Sequence, residues 1–235
     1  MKKILFSLFS LVTIAAQAQT ADEIIQKYTD NIGGLDNFKK VTTAKISGIF
    51  SGQGMDFPLT TQIINGKAMR TDVEVMGQAI VNCYKDGKGW KINPFAGAET
   101  ATDVTGAELN DFKDQSSLAT PLMDYKSRGN KIELLGQEDV EGVKTFKIKM
   151  TTAADSKVTT YFVDASTYLI IKTVSSRDIQ GQATEIASFF SDYKTYGGLK
   201  FAMSRVSKIA GETFQTVTFN NVELNVAIDE KIFDK

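Results

Sequence analysis

The chain has 235 residues, 42% of them hydrophobic, with 27 basic and 28 acidic side chains and no histidine. That balance lacks the basic footprint that nucleic acid selects. The missing imidazole excludes Ser-His-Asp and Cys-His nucleophiles, histidine proton shuttles and nearly all zinc or iron centres, and the single cysteine, Cys83, excludes an internal disulfide.

Residues 1–18 read as a secretory signal peptide. Lys2 and Lys3 supply the basic start, Ile4 to Ala16 the apolar core, and Ala16-Gln17-Ala18 the small-residue cleavage site. The apolar run is shorter than the ~20 residues that span a bilayer. Gln19 rather than cysteine follows Ala18, so the mature protein is expected to be periplasmic, soluble and free of an N-terminal lipid anchor. No linker or low-complexity stretch divides residues 19–235, which are expected to form one domain.

The first mature element is an amphipathic helix. Thr20 is a good N-cap, Glu23 completes a capping box, Ile24, Ile25, Tyr28 and Ile32 form one stripe, and Gly33-Gly34 ends it. Leu35 to Lys40 suggests a short second helix whose Leu35 and Phe38 dock beside that stripe. From Val41 the period becomes two. Ala44, Ile46, Gly48 and Phe50 share one face of a first strand, and turns at Ser51–Gly54, Asn65-Gly66, Met76-Gly77 and Asp86-Gly87 separate four more. Cys83 falls in phase with Ala79 and Val81 and reads as a buried small apolar residue. Trp90 reads as core or rim packing.

Pro94 to Arg128 breaks the alternation. Leu109, Phe112, Leu118, Leu122, Met123 and Tyr125 recur at loose helical spacing, and Pro121 marks a break between two short helices. This insertion, about 104–128, is the natural lid for an apolar sheet face. Seven further strands follow between Lys131 and Asn225, about twelve in all. An antiparallel sheet of that size curls rather than staying flat. The expected fold is therefore mainly β with a few helices (α+β): a curled antiparallel sheet forming an unclosed half-barrel of about 11–12 strands, plugged by the N-terminal helix and the helical insertion.

No catalytic, metal or cofactor motif is present. Glu138, Asp139 and Glu141 form the densest acidic cluster, but they sit in a turn between strands, where carboxylates are solvated. No glycine-rich loop opens a βα unit. What the chain offers is adaptable apolar surface. Alternation selects Phe50, Met69 and Val81 in the first half as lining of an apolar cavity, and Phe146, Ile148, Met150, Phe162, Phe201 and Met203 in the second. Leu109, Phe112 and Leu122 would close it from the lid.

Several segments, in this order, resemble the periplasmic lipoprotein-carrier superfamily of LolA/LolB-like proteins, in particular the Bacteroidetes outer-membrane lipoprotein-sorting type. They are ADEIIQKY from Ala21, DGKGWKINP from Asp86, ELLGQEDVEG from Glu133, YFVDASTYLIIK from Tyr161, SDYKTYGGLKF from Ser191 and NVAIDEKIF from Asn225. The resemblance covers essentially the whole mature chain. It implies an unclosed barrel of about eleven strands and a cavity that accepts the acyl chains of a lipid or lipoprotein, without enzymatic activity or cofactor. It also implies a partner in a membrane lipoprotein-release or receptor protein. Carriers of this kind latch the lid with an arginine, for which Arg70 is the nearest candidate. The chain is expected to act as a monomer and to bind no nucleic acid. Relatives with this fold also serve as envelope sensors, so a scaffold that binds a protein partner is the alternative.

Overall fold

The structure is a computed structural model describing residues 19–52, 54–179 and 181–235, so the leader expected at 1–18 lies outside the described residues. Helix α1 (Ala21–Asn31) begins as its sequence requires. The Glu23 N–H donates to the Thr20 hydroxyl, and the Thr20 N–H donates back to the Glu23 carboxylate. Two otherwise orphaned donors are thus satisfied. Ile24, Ile25, Tyr28 and Ile32 are buried, and α2 (Leu35–Lys40) adds Phe38. Gly33, at φ +119°, lets the turn between these helices sit on the sheet. A Cβ there would lie 2.7 Å from the Gly198 carbonyl oxygen, and the Lys200 N–H donates to the Ile32 carbonyl beside it.

The chain then forms a meander of β1 (Thr43–Gly52), β2 (Met55–Ile64), β3 (Ala68–Val75), β4 (Gln78–Lys85), β5 (Lys88–Asn93) and β6 (Ala98–Val104). Helix α3 (Gly106–Gln115) and a run of turns follow. The second half comprises β7 (Lys131–Val140), β8 (Val143–Thr151), β9 (Val158–Asp164), β10 (Ile170–Ile179), β11 (Gln182–Tyr196), β12 (Leu199–Ile209) and β13 (Glu212–Leu224). All thirteen strands belong to one sheet, ordered β6-β5-β4-β3-β2-β1-β13-β12-β11-β10-β9-β8-β7. Every pairing is antiparallel. The two halves are sewn together by β1 against β13, and β6 and β7 remain as the sheet's edges. The expected mainly-β, open, curled sheet with a few helices is what forms.

Two expectations need correction. The sheet has one strand more than the twelve counted, because Ala98–Val104 pairs with β5, with Val104 opposite Gly89. Its sequence, AETATDV, alternates weakly, so cross-strand hydrogen bonding rather than apolar phase holds it in the sheet. The second helix expected beyond Pro121 is absent, and residues 121–129 are turns. Leu118, Leu122, Met123 and Tyr125 are buried nonetheless.

Each face of the sheet has its own core. On the inner face Ala44, Ile63, Met69 and Tyr84 from one half meet Phe146, Ile148, Met150, Tyr161 and Val163 from the other, beneath α1, α2 and the turns after α3. Asn65 joins these covers: its amide donates to the Phe38 and Val41 carbonyls, and its side-chain oxygen accepts from the Leu118 N–H. On the outer face Ala68, Val81, Cys83 and Trp90 are covered by the C-terminal segment through Phe233, which is 1% exposed. Trp90 Nε1 donates to the Phe233 carbonyl at 3.2 Å.

Candidate functional site: the inner face and its strap

Helix α3 crosses the open side of the half-barrel. At one flank Leu109 and Phe112 lie against β5, where a Cβ on Gly89 would stand 2.9 Å from Leu109 Cδ1, so the missing side chain lets the helix sit close to the strand. Lys91 and Glu108 pair there at 2.7 Å. Polar contacts join the helix to the other flank. Asn110 Nδ2 donates to Asp155 Oδ2 at 3.1 Å in the loop between β8 and β9. Asp111 pairs with Lys157, and Arg177 of β10 lies 3.8 Å from the same carboxylate. Asp114 binds Arg128 at 2.6 Å, tying the helix to the turns that follow it.

The electrostatics of this strap reflect its half-buried position. Burial raises the Asp114 carboxyl above the usual carboxylate range, and Arg128 offsets that only in part. Burial also pushes Asp155 upward, but hydrogen bonds from Thr152 and Asn110 outweigh it and leave this carboxyl below its ordinary value. Tyr28, Tyr161 and Tyr193 beneath the cover are all shifted upward by burial, Tyr28 to about 12. Nothing in this group is aligned as a nucleophile with a base. Its chemistry is that of apolar contact closed by a polar clasp.

Most of the twelve lining residues chosen by alternation belong to the inner cluster or pack against it. Met69, Phe112, Leu122, Phe146, Ile148 and Met150 are buried members, and Leu109 and Phe201 pack against them. Met203, fully buried, shares the inward face of β12 with Leu199 and Phe201. Phe50 points inward by phase with Ala44 and stacks on Phe57 at 6.5 Å.

Two of the twelve are on the other side. The register that sets Met69 opposite Tyr84 sends Val81 outward to join Cys83 and Trp90. Phe162 lies between the inward Tyr161 and Val163 and therefore faces out, where the Lys147 and Lys172 ammonium groups sit 5.5 and 4.8 Å from its ring centre. Arg70 also faces out. Its guanidinium binds Asp72 at 2.7 Å, donates to the Ile232 carbonyl at 2.8 Å and lies over Trp90. It thus clasps the C-terminal segment and does not reach α3. The polar contacts that tie α3 to the opposite flank and to the turns after it come from Asn110, Asp111 and Asp114. Their only trace in the sequence is an acidic pair at i, i+3 on a helix, which any solvated helix could show.

No protein-family model matches the chain, and no curated protein matches it. Solved structures do. A LolA superfamily protein from Nitrosomonas europaea superposes with a TM-score of 0.60 at 14% identity, covering 93% of this chain and 99% of the other. A DUF1329 family protein from Desulfovibrio piger gives 0.60 at 13%, covering 91% and 97%. A domain from Vibrio parahaemolyticus assigned to outer-membrane lipoprotein sorting gives 0.60 at 12%, covering 92% and 97%. At these identities the likeness is one of fold, and the chain has the LolA-like fold that its segment order suggested.

Proposed function

We propose that this protein, built on a LolA-like fold, is a non-enzymatic periplasmic lipid-binding carrier. It would shelter acyl chains of a lipid or lipoprotein against the inner face of the sheet, as a monomer, and exchange them with membrane proteins during lipoprotein sorting. One observation carries this reading: α3 rests on β5 through apolar side chains but meets the opposite flank through Asn110–Asp155 and Asp111–Lys157. A cover seated by apolar contacts on one side and clasped by water-replaceable polar contacts on the other can lift without breaking the sheet. Beneath it Met69, Met123 and Met150 supply flexible side chains that can repack around a guest. Each methylene buried there would contribute about 0.8 kcal/mol.

The test is binding of a fluorescent long-chain acyl probe, with the cover free and with it tied. Asp111→Cys and Lys157→Cys, bridged by a short bis-maleimide, should block uptake that the unbridged double variant retains. Wild-type protein that binds no acyl probe, and yields no lipid on native mass spectrometry after purification from cells, would overturn the proposal.

A further inference from the structure

The inner face of β10, β11 and β12 changes character along its length. In β12 the inward residues run Leu199, Phe201, Met203, Arg205 and Ser207, and the first two belong to the inner core. Arg205 stands opposite Phe190 of β11 on one side and Val217 of β13 on the other. One step further from the helices the Ser188 and Ser207 hydroxyls meet at 3.1 Å. The surface therefore passes from apolar beneath the cover, through a cation, to hydroxyls at the opposite end.

Arg205 has no counter-charge among the described residues. Its Nε is shut off from solvent without a hydrogen-bond partner, and no carboxylate among those residues pairs with its guanidinium. The charge that does act on it is another cation, Arg177, whose own carboxylate contact is Asp111. Burial first, and Arg177 second, hold it below the ordinary arginine value. Arginine nevertheless stays protonated in proteins, so an uncompensated cation is retained among the apolar Met203, Phe190 and Val217 and the Ser188 and Ser207 hydroxyls, with the second cation of this face, Arg177, adding to its charge rather than offsetting it. Such a charge is costly unless something pairs with it.

Resting on the carrier reading above, we propose that Arg205 anchors the carboxylate of a single-headed acyl amphiphile, a fatty acid, in a bidentate pair, with its chain lying along Met203 and Phe201 toward the helices. Planar guanidinium matches planar carboxylate in two parallel hydrogen bonds. From Arg205 to Leu199 the strand spans roughly 20 Å at ~3.3 Å per residue, against roughly 15 Å for one leaflet of a bilayer's hydrocarbon core. Headgroup and tail thus both find their matching stretch of one strand.

The test compares palmitate, methyl palmitate and acetate against wild type, Arg205→Met and Arg205→Lys, by calorimetry or displacement of a fluorescent acyl probe. Wild type should prefer palmitate to its uncharged ester, and Arg205→Met should weaken palmitate by about 10- to 100-fold while changing the ester by less than about threefold. Arg205→Lys, which keeps the charge but not the fork, should fall between, and it carries the comparison alone if the methionine variant does not fold. Acetate should not compete at equal concentration. Without ligand, Arg205→Met should be at least as resistant to urea as wild type, because an unpaired cation has been removed. Equal loss of ester and acid binding would make Arg205 a structural residue and overturn the anchor. Binding of both ligands with no effect of either substitution overturns the anchor alone. Binding of neither by wild type overturns the carrier reading itself.

Discussion

Asp111 on α3 and Lys157 at the foot of β9 form an ion pair across the open side of the half-barrel, with 22% and 24% of their side chains exposed. At that exposure water still reaches both side chains, and Lys157 left without its partner can be solvated in its place. Asp111→Asn is expected to lower global stability by only about 1 kcal/mol. Because α3 contributes its opening locally, hydrogen exchange at the α3 amides should quicken several-fold while the β8 and β9 amides stay as protected as in wild type. Uniform acceleration across the sheet would show that the strap does not open on its own.

The C-terminal segment should act as a structural clasp on the outer face. Phe233 is 1% exposed against Val81, Cys83 and Trp90. Phe233→Ala leaves a cavity that the rigid strands β3 to β5 cannot close, at a cost of about 3–4 kcal/mol in urea unfolding. Arg70→Ala, which loses Asp72 and the Ile232 carbonyl, should destabilise the same segment without altering α3 exchange.

Gly48 marks the seam between the two halves of the sheet. The pairing of β1 with β13 slips between Ser47 and Gly48, and a Cβ on Gly48 would lie 2.2 Å from the Thr218 carbonyl oxygen and 2.8 Å from Phe219 Cα. Backbone atoms cannot swing aside as a side chain would. Gly48→Ala is expected to cost about 2–3 kcal/mol, read as a lower urea midpoint at an unchanged slope.

Alkaline pH should weaken the fold through groups kept neutral by burial. The Cys83 thiol and the Tyr28 phenol are each pushed up to about 12. Unfolded, they ionise near roughly 8.5 and 10 respectively. Their neutral forms bind protons longer in the folded chain, so the stability they contribute is complete below those unfolded values and is lost as pH rises toward 12. The urea midpoint should therefore begin to fall near about pH 9, and Cys83→Ala should remove the first part of that decline. At about pH 8 a thiol reagent should label Cys83 no faster than the protein unfolds.

Much of this architecture is local and therefore legible in the residue order. Thr20 and Glu23 sit three apart because a helix start needs them so, and the Asn-Gly and Asp-Gly turns bend the chain before any tertiary contact exists. The period of two from Val41 onward shows strands with two distinct faces. The absence of histidine removes whole classes of chemistry with no reference to shape.

Which face is inside is another matter. Alternation has two phases, and a strand apolar in both, as β4 is with Val81 and Tyr84, looks the same either way. The covers decide: α1, α2 and α3 select one face, and the C-terminal segment selects the other, so that burial picks a single register from the many that alternation allows. Val81, Phe162 and Arg70 went outward on that account. Arg205 came inward unannounced, since a single arginine among alternating residues reads as solvent-exposed until the neighbouring strands enclose it. Strands, turns, caps and missing chemistry follow from the residue order alone, because they depend on neighbours along the chain. The inside face, the strap and the half-buried Arg205 cation took shape only on folding, because they depend on what a strand meets across space.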